Sequence, residues 1–418
     1  MKKFIVLIIL AVLVFFGYQK AKEYINIDDK VDKFIYADIL DSIGEKKVDV
    51  SRYTIYGKHL NIEGMLPLDG EEFELVLKNN EKEVSIPIIK ENNLFKTSKY
   101  INDGINLEKL EVGDYLFLLK DKINNTYYNL INKTEYHDNT YYTITKNFKN
   151  NLITFPELKY NENTYWKINV KEEKLPEEYY DIVIDPGHGG VDTGASNGKY
   201  HESKFNLEYG KMLYDALTEE GFKVKLSRDT DVMLEHYGEG SRSGIPYEVK
   251  AKLMLSLHLN SSNNKKISGV EIYRAYEDND NFAKILADNI VNETSTNYSI
   301  NPENKVMDGV YMRVYGKKTI DSLTRDAKKN GYEPYDIPNN TTYYYFIRET
   351  GGIMTKAFSD GRNPKYKANL YRNYNQGVEA YLCELGYISS NDNLKLIINE
   401  KEKYVKALTK SVLSYVNS

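Results

Sequence analysis

The chain is expected to fold as an α/β catalytic domain, a mixed or parallel sheet covered by helices, preceded by an N-terminal membrane segment and a β-sandwich-like domain. Three observations carry that expectation. Behind Tyr180, apolar runs at strand and helix period follow in the order strand, helix, strand, helix, strand, which builds such a sheet. Between Tyr53 and about Val170, short apolar runs such as YTIYG, LNIEG, FELVLK, VSIPII, DYLFLLK and TYWKINV alternate with turns bearing Asn, Asp and Gly, the spacing of a β-sandwich. Ahead of both, fifteen uncharged residues from Phe4 to Tyr18 follow Met1-Lys2-Lys3. A length of 418 residues fits two or three domains.

In chain order, residues 1–22 form a signal-anchor or transmembrane segment, 23–50 a stalk, 51–172 the β-rich domain and 178–418 the catalytic domain. The apolar run is shorter than the roughly 20 residues of a membrane helix, but its flanking lysines can snorkel and lengthen it. No small-residue cleavage site follows it, which favours a retained anchor over a secreted product of signal cleavage. The stalk carries mixed charge and a helical pattern from Ile25 to Ile43. In the β-rich domain His59 and His137 lack neighbouring ligand-type residues at metal spacing, and Trp166 reads as core. KEEKLPEEYY, Lys171 to Tyr180, is the linker.

The catalytic domain opens on DIVIDPGHGG. Asp181 to Asp185 alternates as a strand, Pro186 ends it, and Gly187, Gly189 and Gly190 let the backbone turn around His188. Glu202 opens a helix whose apolar residues Phe205, Tyr209, Leu213 and Leu217 share one face. In LMLSLHLNSS, Leu253, Leu255 and Leu257 alternate with Met254, Ser256 and His258, which places His258 at a second strand end. EAYLCELGYISSNDN delivers Glu384 on a third. The carboxyl ends of strands are where α/β sheets gather their functional residues. Two imidazoles and a carboxylate make a catalytic zinc site with its fourth position open to water, and a nearby carboxylate can move the proton. His188, Glu202 and His258 are thus the candidate ligands and Glu384 the candidate base of an amide hydrolysis. His201 lacks a strand-end position and His236 lies in a GEG loop, so both read as surface or supporting residues. Cys383, the only cysteine, rules out an internal disulfide; alternation points it away from Glu384 into the core. Beyond these, residues from Ala283 to Val291 and from Lys395 to Val416 have helical patterns.

A net charge of −5 argues against nucleic acid as a partner. The 38 tyrosines supply flat rings with a polar tip, suited to sugars, though most belong to strands and core.

The chain from about residue 178 onward resembles the zinc-dependent N-acetylmuramoyl-L-alanine amidases of bacterial cell-wall turnover. The matching blocks are DPGHGGVDTGASNGKYHES, LSRDTD, SLHLNSS, GVEIYR and ELGYISSNDN. The resemblance implies a Zn2+ cofactor held by His188, Glu202 and His258, with Glu384 as catalytic carboxylate. It also implies peptidoglycan as substrate, cut between N-acetylmuramic acid and L-alanine of the stem peptide in wall remodelling or lysis. Such an enzyme works outside the cytoplasm, so the anchor would hold it on the outer face of the cell membrane. The β-rich domain would then bind wall polymer, bind an activating partner or act as a spacer. Two other readings share the residues: a different zinc amidohydrolase or peptidase, and a metal-free wall-binding protein. The chain departs from the family in a long stretch of about residues 295–345. Within it KKTIDSLTRDAKKNGYE has a helical pattern, and some relatives carry an inserted helix over the zinc groove as an autoinhibitory lid. A solvated excursion or a part of the groove demands less, because loop closure grows slowly with length.

Overall fold

The structure, a computed structural model, describes residues 36–67, 72–79, 81–134, 140–145, 149–331, 337–356 and 375–418. The expected membrane segment, residues 23–35 of the stalk and His137 lie outside the described residues. No described helix is long and apolar enough to cross a membrane.

Two bodies of structure follow one another. From Lys47 to Glu172 the described elements are almost all strands, and they belong to one hydrogen-bonded sheet of 14. Its first strand, Lys47–Tyr56, begins inside the region read as stalk. The sequence spacing predicts two packed sheets; the hydrogen bonds join them. The reason is this first strand, which pairs through Lys47–Val50 with Thr126–Asn132 and, from Val50 across a bulge at Val50/Arg52, with His59–Met65. Strands that change partner at a bulge turn the corners of β-sandwiches and let a sheet curl on itself. The curl encloses Phe73, Leu75 and Leu77 of one strand and Tyr115, Phe117 and Leu119 of the next, with Trp166 among them. The opposite face meets Tyr36 and Leu40 of the helical residues 36–43 through Val76, Leu116 and Leu118.

The second body is the α/β domain. Its seven-stranded sheet runs Val224–Leu226, Ile182–Pro186, Leu253–Asn260, Glu379–Tyr387, Glu271–Tyr273, Val310–Tyr311, Lys305–Met307. The first four strands are parallel, and Glu271–Tyr273 is antiparallel to Glu379–Tyr387. Alternation sorts the faces. Ile182, Ile184, Leu253, Leu255, Leu257, Tyr381 and Cys383 point to one core, covered by helices Glu202–Glu219, Asn281–Glu293 and Lys401–Asn417. Val183, Met254, Ala380 and Leu382 point to the other, covered by Ile245, Phe346 and Ile347. The helical run expected from Lys395 to Val416 is two helices, Asn391–Asn399 and Lys401–Asn417, broken at Glu400. The inserted stretch contributes the two edge strands and a helix, Lys317–Lys329, of which only Ala327 is buried.

The two bodies share a polar seam. Gln376–Gly377, just ahead of the strand carrying Glu384, pairs in parallel with Ile55 and Tyr56. Glu379, fully buried at that strand's start, accepts from Tyr381 at 2.5 Å and Tyr415 at 2.8 Å, with Asn102 of the β-rich body at 3.4 Å. Tyr56 reaches Asp278 at 3.3 Å. Thr145 donates its backbone N–H to Asp181 at 3.0 Å, and Ile144 sits in the core of the α/β domain. Burial pushes the carboxyls of Asp278 and Glu379 above their ordinary range.

Gly57 makes this seam possible. Its φ of 56° lies in the left-handed region, and a Cβ there would stand 2.6 Å from Glu379 Oε2 and 2.7 Å from the Tyr415 hydroxyl. Gly57→Ala is therefore expected to destabilise the protein by roughly 2–4 kcal/mol. A urea midpoint equal to that of the unsubstituted protein would contradict the account of the seam.

Candidate metal centre and hydrolytic site

The turn after strand Ile182–Pro186 is held from behind by two buried arginines. Arg228 donates to the carbonyls of Pro186 at 2.8 Å and Gly187 at 3.0 Å. Arg242 donates to Pro186 O at 2.9 Å and to His188 O. Arg242 also pairs with Asp185, which accepts from Ser227 at 2.6 Å and Ser256 at 2.7 Å. Burial pushes Asp185 up, but the Arg242 guanidinium and the hydrogen bonds from Ser227 and Ser256 together outweigh it and hold the carboxyl low. This scaffold keeps His188 at φ 59°, a conformation that costs about 1 kcal/mol or more for a residue with a side chain. Gly187 admits the second imidazole: a Cβ there would lie 2.3 Å from the His258 ring.

Three candidate ligands converge on one point. Glu202 Oε1 stands 3.1 Å from His188 Nε2 and 2.9 Å from His258 Nδ1, and the potential ligand atoms of the three residues all lie within 4.8 Å of one another. A tetrahedral site with bonds near 2.0–2.1 Å has ligand atoms about 3.3 Å apart, so the donor set and its spacing fit zinc. Burial pushes Glu202 up, yet hydrogen bonds from His188 and His258 outweigh it and hold the carboxylate ionised. Burial also disfavours charge on His188, but Glu202 and then Asp192 raise its affinity for a proton. Asp192 Oδ2 meets His188 Nδ1 at 2.8 Å, the carboxylate behind a histidine that orients metal ligands. Backbone N–H groups of Ala195 and Leu259 fix Glu202 at 2.8 and 3.1 Å.

Glu384 lies on the neighbouring strand, its Cα paired with that of His258. It faces the same cleft of about 480 Å³. It is buried, and its Oε2 has no hydrogen-bond partner among the described residues. Burial, with help from the charges of Glu202 and Glu271, raises its pKa well above the usual carboxylate range. The far wall of the cleft is the end of the inserted stretch: Tyr344, Tyr345 and Phe346. Phe346 lies parallel to the His258 ring at 6.4 Å, and burial pushes Tyr344 up to about 12. Helix Lys317–Lys329 contributes no residue to the cleft lining.

The remaining histidines separate. His201 pairs with Ser196 Oγ at 2.9 Å and lies outside the ligand cluster. His236, read as a loop residue, is exposed but also lines the cleft, stacked on Tyr345 at 4.3 Å. His59 sits on strand His59–Met65, away from the cleft. Cys383 is buried in the core on the face opposite Glu384. Asp192, Arg242 and the aromatic wall escaped the sequence reading. Asp192 could have been found four residues beyond His188 in the same glycine-rich block, whereas nothing local marks Arg242.

Comparison with known proteins identifies the family. The family profile of N-acetylmuramoyl-L-alanine amidases matches residues 182–415, more than half of the chain. The germination-specific N-acetylmuramoyl-L-alanine amidase of Bacillus subtilis (strain 168) is 32% identical over 250 residues, 56% of this chain and 92% of that protein. A probable cell wall amidase, LytH, of Staphylococcus aureus is 36% identical over 124 residues, 28% of this chain and 38% of that protein. The catalytic domain of the amidase CwlV from Bacillus (Paenibacillus) polymyxa var. colistinus aligns with a TM-score of 0.37 at 19% identity, over 57% of this chain and 98% of that chain. With the matched profile spanning both strand ends and the helix between them, the chain belongs to the N-acetylmuramoyl-L-alanine amidase family, whose members act on peptidoglycan.

Proposed function

We propose that the chain is a zinc-dependent peptidoglycan amidase that cuts between the lactyl group of N-acetylmuramic acid and L-alanine, in wall remodelling or lysis. The observation that carries this reading is the meeting of His188, Glu202 and His258 at one carboxylate oxygen, with buried Glu384 on the adjacent strand. Zinc held by those three residues would supply a Lewis acid and a water acidified to near neutral pH. Glu384 takes the proton from the attacking water and returns it to the departing amine of L-alanine. Its raised proton affinity suits the second half of that task, holding the proton for the departing amine. Asp192 and the carbonyl clamp of Arg228 and Arg242 keep His188 in place. The aromatic wall at Tyr344–Phe346 offers rings for apolar sugar faces and thins the water around the cleft. The apolar run from Phe4 to Tyr18 supports attachment to the cell membrane with the catalytic domain outside the cytoplasm.

Elemental analysis of the purified protein tests the metal assignment. About one zinc per chain is expected, with His188→Ala and His258→Ala each losing most of it. Wild-type metal content in both variants would refute the assignment.

A further inference from the structure

Glu271 takes no part in the metal cluster, yet it is a fully buried carboxylate with 0% exposure. It lies in strand Glu271–Tyr273, its Cα paired with that of Glu384. Oε2 accepts from Asn260 Nδ2 at 2.9 Å and from the Tyr273 hydroxyl at 2.8 Å. Oε1 accepts from Ser299 Oγ at 2.7 Å and from the Tyr387 hydroxyl. A carboxylate has about four acceptor sites, so both oxygens are fully used.

Two of these donors matter for the site. Asn260 ends the strand that delivers His258, and Tyr387 ends the strand that delivers Glu384. Between those ends the ladder slips: His258 pairs with Glu384, and the next pair is Asn260 with Tyr387. Two residues advance on one strand and three on the other. Such a bulge re-aims side chains and interrupts the backbone bonds that would otherwise fix their relation. The carboxylate of Glu271 spans the interruption and ties both strand ends to a third strand.

We propose that Glu271 is a positioning residue for the hydrolysis: by bridging Asn260 and Tyr387 it fixes where the Glu384 carboxylate stands relative to His258. The inference rests on Glu384 acting as the proton carrier. An apolar residue of the same volume would leave buried donors unpaired, and Gln offers one oxygen where the site needs two. A misplacement of about 1 Å at a reacting group can slow catalysis about a hundredfold.

The test is steady-state hydrolysis of a soluble muramoyl-peptide by the full chain and its Glu271→Gln variant, with zinc content and melting temperature measured on the same preparations. The expected result is a fall in kcat of roughly 10–100-fold, with KM and zinc content within about twofold of wild type. A variant with wild-type kcat overturns the proposal, as does one whose loss lies in zinc or KM. If Glu271→Gln fails to fold, Tyr387→Phe carries the test: a lower kcat with unchanged KM and zinc supports the bridge, and an unchanged kcat refutes it. Wild-type protein without hydrolytic activity would instead overturn the functional reading on which the inference rests.

Discussion

Glu384→Gln is expected to slow amide hydrolysis by roughly 10²–10⁴-fold while the protein keeps its zinc and its fold. Gln fills the same space beside His258 but can neither accept the proton of the attacking water nor carry it to the amine. Glu384 Oε2 has no hydrogen-bond partner among the described residues, so the substitution breaks no side-chain bond at that atom. It also removes a buried carboxyl whose charged form is disfavoured, so stability should hold or rise slightly. Metal content and turnover measured on one preparation separate the roles: a variant that loses its zinc makes Glu384 a ligand, and one that keeps its rate makes it a bystander.

The second large effect concerns the β-rich body. A chain starting at residue 175 is expected to lack a cooperative melting transition and to show little or no hydrolysis. It would lose the strand that pairs with Gln376–Gly377, the Asn102 contact to Glu379 and the Ile144 contribution to the main core. It would also lose Lys58, which binds the last helix through Tyr415 O and Ser418 Oγ. Each buried polar group left unpaired costs about 1–3 kcal/mol, and several together exceed much of the roughly 5–15 kcal/mol that holds a domain. Activity should return when residues 36–174 are co-expressed. A fragment of residues 175–418 that melts cooperatively and works at the full rate would show that the seam is dispensable.

The site was legible in the sequence to the extent that local pattern encodes it. His188 follows an apolar run with strand period, His258 and Glu384 lie toward the ends of two more, and Glu202 begins an amphipathic helix, so local pattern brings all four toward one edge of the sheet without knowledge of contacts. Alternation likewise sends Cys383 to the core face. Long-range contacts were the part that pattern could not supply. Arg242 is 57 residues from its partner Asp185, and its surroundings read as an ordinary glycine-rich loop. Tyr344 to Phe346 come to the cleft because the inserted stretch returns across the second face of the sheet, which no period announces. The single curled β-sheet depends on one bulge at Val50/Arg52, and a bulge leaves no mark on an apolar run. The seam was missed because Glu379 reads as a charged residue ending a loop, whereas Tyr381 of its own strand and Tyr415 of the last helix pair with it in the interior.

The central claim is that His188, Glu202 and His258 hold a metal that works with Glu384 to cut a muramoyl–alanine bond. Digestion of purified peptidoglycan, with the protein either zinc-loaded or stripped by a chelator, tests it most directly when the products are resolved by mass. The account predicts intact stem peptides with free L-alanine amino ends and uncut glycan strands, released only by the zinc-loaded protein. Release of the same products by the metal-stripped protein, or products cut within the glycan or the peptide, would contradict it.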